Sequence, residues 1–144
     1  MRIWFKDYTL QDLIAFANRN KNMSQAVGME FIELGDNYVK AKMPVDHHTK
    51  TPAGLLHGGA SCVLAETIAS TAAYLCVDPE KQAIVGIEIN ANHIKSVKAG
   101  YVVATTTPFH VGRSIHVWDI RIEEEHTQKL VCISRLTVKV LDLK

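Results

Sequence analysis

Cysteine is scarce in this sequence. Cys62, Cys76 and Cys132 are odd in number and form no C-x-x-C pair, which argues against a disulfide framework and a structural zinc site and favours reduced, mostly buried thiols. Charge of one sign is missing too: 16 Lys and Arg stand against 15 Asp and Glu, without the basic excess of a nucleic-acid binder. No G-x-S-x-G elbow, P-loop or G-x-G-x-x-G occurs, which removes the commonest hydrolase and nucleotide-binding folds. No repeat, low-complexity tract or linker interrupts the 144 residues, so a single domain over 1–144 is expected. The opening MRIWFKDYTLQDL lacks an apolar segment of signal-peptide length, and a cytoplasmic location is the expectation. Residues 60–77 are the one run that imitates a membrane span, yet they contain Glu66 and many Ala, Ser and Thr residues. They are barely long enough to cross a bilayer, and no membrane partner is expected.

What is present organises into short elements. Thr9, followed by Leu10, Leu13, Ile14 and Phe16 with Asp12 three residues after the threonine, predicts a short N-capped helix of peripheral role. Residues 27–34 and 37–43 read as strands joined at Gly35-Asp36, a hairpin signal. In the second, Val39, Ala41 and Met43 share one face while Tyr38, Lys40 and Lys42 share the other. The stretch PVDHHTKTPAGLLHGG, with two prolines and three glycines, reads as a loop leading to a long helix that ends at Asp78-Pro79. Four strand-like runs follow, 83–93, 101–109, 115–123 and 130–141; in the third, His116, Trp118, Ile120 and Ile122 alternate with Val117, Asp119 and Arg121. Consecutive strands with short turns and one apolar helix predict an α+β layer structure with an antiparallel sheet.

The long helix carries the sequence's sharpest functional signal. At about 100° per residue, Gly59, Cys62, Glu66, Ser70 and Ala73 fall on one side and Leu64, Ile68, Thr71 and Leu75 on the other. Small residues leave room around Glu66 for a second helix or a ligand. A buried carboxylate requires compensation, so Glu66 is either satisfied structurally, by Ser70, Thr67 or a buried ion pair, or held for chemistry. His57-Gly58-Gly59 opens the helix, where unpaired backbone N–H groups and the positive end of the dipole suit a carbonyl oxygen. Gly58 and Glu66 are eight residues apart, about 12 Å along the axis, too far to touch one carbonyl from the same helix. An antiparallel two-fold pairing of helices would bring Glu66 of one subunit beside Gly58 of the other, which predicts a homodimer with two composite sites.

GLLHGGASCVLAETIAS, with MPVDHHTKTPAG before it and VGIEINANHIKSV, HVGRSIHVWDIRI and CISRLTVKVL after it, resembles the hot-dog fold thioesterases of the 4-hydroxybenzoyl-CoA (Glu-dependent) branch. It is most like that branch's 1,4-dihydroxy-2-naphthoyl-CoA thioesterase members, which points to menaquinone biosynthesis. The resemblance implies a central helix wrapped by an antiparallel sheet, a homodimer that commonly pairs into a homotetramer, and hydrolysis of an acyl-CoA thioester without metal or other cofactor. It implies Glu66 as nucleophile or general base, the Gly58 N–H as the group polarising the carbonyl, and His57 and Ser70 as site-lining residues. Substrate and CoA contacts are carried over to Gly86, to His93, Ile94, Lys95 and Ser96, and to His110, Val111, Gly112, Arg113, Ser114 and Ile115. The sequence departs from the family where Thr51-Pro52-Ala53-Gly54 replaces the usual Gln-Pro-Phe-Gly. Thr51 keeps a hydroxyl donor at the glutamine position with a shorter reach, and Ala53 removes aromatic bulk near the acyl pocket.

Other candidates read more simply. Asp46, His47 and His48 have metal-ligand chemistry, but adjacent histidines on a strand point to opposite faces and no third ligand sits at helical spacing, so a solvent-exposed turn is expected. Cys62, one turn before Glu66, lacks a nearby cation or histidine to lower its pKa and reads as a packing residue. His93 is either a strand-end histidine or, as the family implies, a neighbour of the substrate. Lys95, Lys98 and Arg113 are solvated charges or contacts for nucleotide phosphates. A non-catalytic acyl-CoA binding module on the same fold, a hydratase, or a thioesterase for aliphatic acyl-CoA are the alternative functions. A hydratase would require an Asp/His pair that the sequence does not supply, and a pure binder would not require Glu66.

Overall fold

In the computed structural model, which describes residues 1–144, helices α1 (Leu10–Ala17) and α2 (Met23–Ala26) precede strands β1 (Glu30–Leu34) and β2 (Val39–Pro44). The long helix α3 (Gly58–Leu75) then leads to β3 (Gln82–His93), β4 (Tyr101–Val111), β5 (Ile115–Glu124) and β6 (Leu130–Asp142). The six strands form one antiparallel sheet in the order β1-β2-β4-β5-β6-β3. The sheet packs on α3, as the sequence predicts.

Alternation decides which face is inner. Val39, Ala41 and Met43 are fully buried, and the neighbouring strands add Val102, Ala104, Trp118, Ile120, Ile122, Leu136 and Val138 to one core. From α3, Leu64, Ala65, Ile68, Ala69 and Ala72 complete it. Truncating Leu64 or Ile68 to alanine costs about 2–5 kcal/mol, the range for well-packed core sites. Ala73 is fully buried as well, which corrects its placement on the open side with Glu66.

Two local differences from the sequence reading have physical causes. The first strand begins at Glu30 rather than 27, because Asn22 and Gln25 form a capping box that nucleates α2. Val27 ends that helix and Gly28 turns the chain at φ 71°, a conformation that glycine adopts without strain. Helix α1 has the expected Thr9–Asp12 capping box, but it is not merely peripheral. Leu13 is buried in the core and Phe16 stacks on Tyr74.

Strand β3 positions the site. It lies at the edge of the sheet, bonded only to β6, and its register shifts between Gly86 and Glu88, a bulge of the kind that re-aims an edge strand. Val85 and Ile87 on this strand are exposed, as is Ile94 just beyond it. No helix is long and apolar enough to cross a membrane.

Candidate active site

The N-terminus of α3 is built from its own histidine. His57, extended at φ −72° and ψ 129°, is the N-cap, and its Nδ1 accepts the Gly59 N–H at 2.8 Å. A ring whose Nδ1 accepts carries its proton on Nε2 when neutral. Of the two free amides that the paired glycines suggest, Gly59 is thereby occupied. The Gly58 N–H donates to no backbone or side-chain acceptor of the chain. His93, at the end of β3, stands over this amide: a Cβ on Gly58 would come within 2.8 Å of His93 Nε2 and 3.0 Å of its Cε1. Only a glycine lets the two approach so closely.

Thr51, Gly58, His93, Lys95 and Ser96 surround a cavity of about 320 Å³. Thr51 sits in the turn leading to α3, where its N–H donates to Leu55 O and its carbonyl accepts from Gly54 N–H. Lys95 is not a free cation, since its Nζ pairs with Glu124 and that contact holds the Glu124 carboxyl below the usual range.

Glu66 lies on a second, separate face. Its carboxylate accepts no hydrogen bond and enters no ion pair; the Thr67 hydroxyl donates instead to Val63 O at 2.6 Å, and the Thr71 hydroxyl to Thr67 O at 2.8 Å. The structural role considered for Glu66, satisfied by Ser70 or Thr67, is therefore absent. In the single chain Glu66 is exposed, contrary to the expectation of a buried carboxylate. Its Oε1 lies 2.9 Å from where a Cβ on Gly86 would stand, so the bulged edge of β3 admits the carboxylate because residue 86 has no side chain. Glu66 and Ser70 open into a groove of about 600 Å³ whose walls include Phe16, Tyr74, Ile84 and Leu143. The sequence reading missed these four. Phe16 carried an apolar-periodicity signal in α1, but its partner Tyr74 is 58 residues away and no local pattern links them.

The remaining binding candidates fall into two groups. His93, Ile94, Lys95 and Ser96 lie at the end of β3 whose register pairs His93 with Cys132. His110, Val111, Gly112, Arg113, Ser114 and Ile115 form the β4–β5 hairpin at the other end, where Gly112 N–H donates to Ile115 O at 3.0 Å and Val140 N–H to Ser114 O at 2.9 Å. Through β6 this hairpin neighbours the Gly86 end, since His116 and Gly86 both pair with Val138. One chain thus keeps the two groups apart by the length of β3. Arg113 is exposed at the hairpin tip.

Asp46, His47 and His48 do form a surface turn, but their rings do not diverge. The two imidazole centroids are 3.9 Å apart and the three potential ligand atoms lie within 4.8 Å of one another. Hydrogen bonds within the turn explain this, with Asp46 Oδ1 accepting the His48 N–H at 2.9 Å and holding the Asp46 carboxyl below its usual range. Cys62 is half-buried with its thiol pushed up, first by desolvation and then by Glu66, as a packing residue would be.

In sequence and fold the chain is similar to known proteins. Residues 53–131 match the family model described as the thioesterase superfamily. The 1,4-dihydroxy-2-naphthoyl-CoA hydrolase of Escherichia coli is 47% identical over 139 residues, covering 96% of this chain and 99% of that protein. The crystal structure of a thioesterase from Haemophilus influenzae superposes with a TM-score of 0.91 at 43% identity, covering 98% of this chain and 96% of the other. A Staphylococcus aureus thioesterase, 39–40% identical with TM-scores of 0.81 and 0.79, covers 85% and 82% of this chain with 100% and 97% of its own length. It has been solved with a glutamate and, separately, a glutamine replaced by alanine, residues fifteen apart in that protein, the same separation as Thr51 and Glu66 here. The chain belongs to the thioesterase superfamily and is a thioester hydrolase of hot-dog fold.

Proposed function

We propose that the chain hydrolyses an acyl-CoA thioester with an aromatic acyl group, of which 1,4-dihydroxy-2-naphthoyl-CoA is the leading candidate, at a site assembled from two subunits. The observation that carries this reading is a pair of groups without a partner in the chain, the Glu66 carboxylate against Gly86 and the Gly58 N–H. The amide polarises the thioester carbonyl and stabilises the oxyanion as charge develops. Glu66 then either attacks the carbonyl carbon, giving a mixed anhydride that water hydrolyses, or takes a proton from water as it attacks. Either way the C–S bond breaks and CoA leaves as a thiolate, whose pKa near 8.5 makes a strong general acid unnecessary. No metal or organic cofactor is called for by these steps.

The two groups are eight residues apart on α3, about 12 Å along its axis, and β3 carries a neighbour of each: Gly86 beside Glu66 and His93 beside Gly58. Edge strands with free backbone groups and exposed apolar side chains are templates for pairing. Antiparallel pairing of β3 with its copy about a two-fold axis sets the Gly86 end of one strand beside the His93 end of the other. That arrangement completes two sites at once and joins the two separated groups of CoA contacts. A homodimer, alone or paired into a homotetramer, is the assembly this supports. Thr51 lines the Gly58 cavity as a short-armed counterpart of the family's glutamine.

Thiol release from aromatic and aliphatic acyl-CoAs tests the chemistry. Glu66→Gln lowers kcat by roughly a thousandfold, the scale of losing a catalytic acid–base group; a wild-type rate surviving both Glu66→Gln and Glu66→Ala removes Glu66 from the mechanism, and no hydrolysis of any thioester by wild type removes the function. Complementation tests the assembly. Gly58→Pro deletes the amide at the first helical position, where the proline backbone is tolerated, and extended His57 suits a residue preceding proline; its ring also displaces His93, so the variant disables this half of the site as a whole. Random mixing of Glu66→Gln with Gly58→Pro subunits restores about a quarter of the sites if each is shared between chains, and none if both groups act within one chain.

A further inference from the structure

The groove beside Glu66 is walled in part by an aromatic pair. Phe16 of α1 and Tyr74 of α3 stack with ring centroids 5.2 Å apart and planes inclined by 13°, and the Arg19 guanidinium carbon lies 5.4 Å from the Phe16 centroid. Phe16 borders not only the Glu66 groove but two further hollows, of about 370 Å³ beside Lys6 and Leu13 and about 400 Å³ beside Asn20 and Met23. Phe16 thus borders three neighbouring spaces, a position it shares with Thr71. Tyr74 is eight residues beyond Glu66, about 12 Å along the helix, which leaves room for one or two fused rings between the carboxylate and the stack.

We infer that Phe16, held on Tyr74, is the specificity-determining wall of the acyl subsite: it ends the groove that starts at Glu66 and adapts it to flat aromatic acyl groups while barring extended aliphatic chains. The inference rests on the thioesterase reading above. An aromatic acyl group reaching the pair gains offset stacking or edge-to-face contact, which an alkyl chain does not. An alkyl chain long enough to pass the pair meets the Phe16 ring instead. Removing the ring joins the groove to the hollows along α1 and gives such a chain a path.

The test uses the full-length protein and kcat/KM for benzoyl-, naphthoyl-, octanoyl- and dodecanoyl-CoA in wild type, Phe16→Ala, Phe16→Leu and Phe16→Tyr. Phe16→Ala lowers the naphthoyl value about three- to tenfold, the scale of one aromatic contact, and raises the dodecanoyl value, moving the ratio by tenfold or more. Phe16→Tyr restores the wild-type ratio. A loosened fold depresses all substrates together and leaves the ratio alone, so the ratio separates specificity from stability; should Phe16→Ala fail to fold, Phe16→Leu shows the same change at smaller size. A ratio within twofold of wild type in a folded variant overturns the inference while leaving the thioesterase reading intact. A wild type that hydrolyses none of the four overturns both.

Discussion

Gly86→Ala separates the stability of the protein from its activity. The residue lies in edge strand β3, and it does not require positive φ, so alanine fits the backbone and limits the unfolded chain, a gain of about 0.5–1 kcal/mol. For a chain of this size that raises the unfolding midpoint by about 2–4 °C. The new methyl, however, would stand 2.9 Å from Glu66 Oε1. Restoring ordinary van der Waals contact moves the carboxylate by roughly half an ångström or more, at the edge of what a catalytic geometry tolerates. Because that oxygen ends a flexible side chain, the displacement is cheap for folding and falls almost wholly on catalysis; a misplacement approaching 1 Å costs up to about a hundredfold. The expected result is an unchanged or higher midpoint by thermal unfolding, with kcat for the best acyl-CoA lowered about ten- to a hundredfold and KM changed much less. A folded Gly86→Ala protein with kcat within twofold of wild type would refute the idea that the observed pose of Glu66 is its working one.

Two further predictions concern titration and thiol reactivity. His116 is buried with Nδ1 unpartnered, and desolvation pushes its pKa below the ordinary value, opposed by a hydrogen bond with the Gly112 backbone. The native ring therefore stays neutral where the unfolded ring takes up a proton: its full contribution is present above about pH 6.5 and is lost as pH falls toward the lower folded-state value, with a slope of at most about 1.4 kcal/mol per pH unit. Urea midpoints at pH 7.5 and 5.5 should fall more for wild type than for His116→Leu, and equal falls would exclude His116 as the source. Burial also pushes the Cys76 thiol up to about 12, which cuts its thiolate fraction at pH 8 roughly a thousandfold relative to an ordinary thiol. Alkylation followed by peptide mapping should find the half-buried Cys76 modified far more slowly in the native protein than in guanidinium; native labelling at the rate of an ordinary thiol would contradict its raised pKa.

Much of the fold was legible because alternation and capping are local. Val39, Ala41 and Met43 could be assigned inward from their spacing alone, as could His116, Trp118, Ile120 and Ile122, and Thr9 with Asp12 announced α1. The errors share a different cause. Residues 27–29 have strand-like composition, but the Asn22–Gln25 capping box upstream claims them for the end of α2. Ala73 falls on the Glu66 side of a helical wheel, yet the last turn of α3 is wrapped by the N-terminal segment, whose Phe5 N–H donates to Leu75 O at 2.7 Å. A rotation angle carries no information about such long-range cover. The same limit hid the groove beside Glu66: Glu66, Gly58 and Thr51 stand in a recognisable string, whereas Phe16, Tyr74, Ile84 and Leu143 meet only after folding.

The geometry of β3 gives the two glycines of the site a common logic. Gly86 admits the Glu66 carboxylate at one end of the strand, and Gly58 admits the His93 ring at the other. A side chain at either position would occupy the space where a functional group now stands. Between these ends the strand rises about 3.3 Å per residue over seven residues, some 23 Å, and Glu66 and Gly58 themselves stand about 12 Å apart along α3, whereas in the proposed reaction they must meet across a single carbonyl. No rotamer of Glu66 spans that gap. The proposed two-fold axis through the middle of β3 would close it without moving either group, because it would exchange the ends of the strand. The exposed Val85 and Ile87 side chains then have a reason to lie on an edge that natural sheets usually guard with charge or proline. On this view the apolar edge, the bulge and the two glycines are parts of one device, in which the surface that joins the subunits also assembles the site.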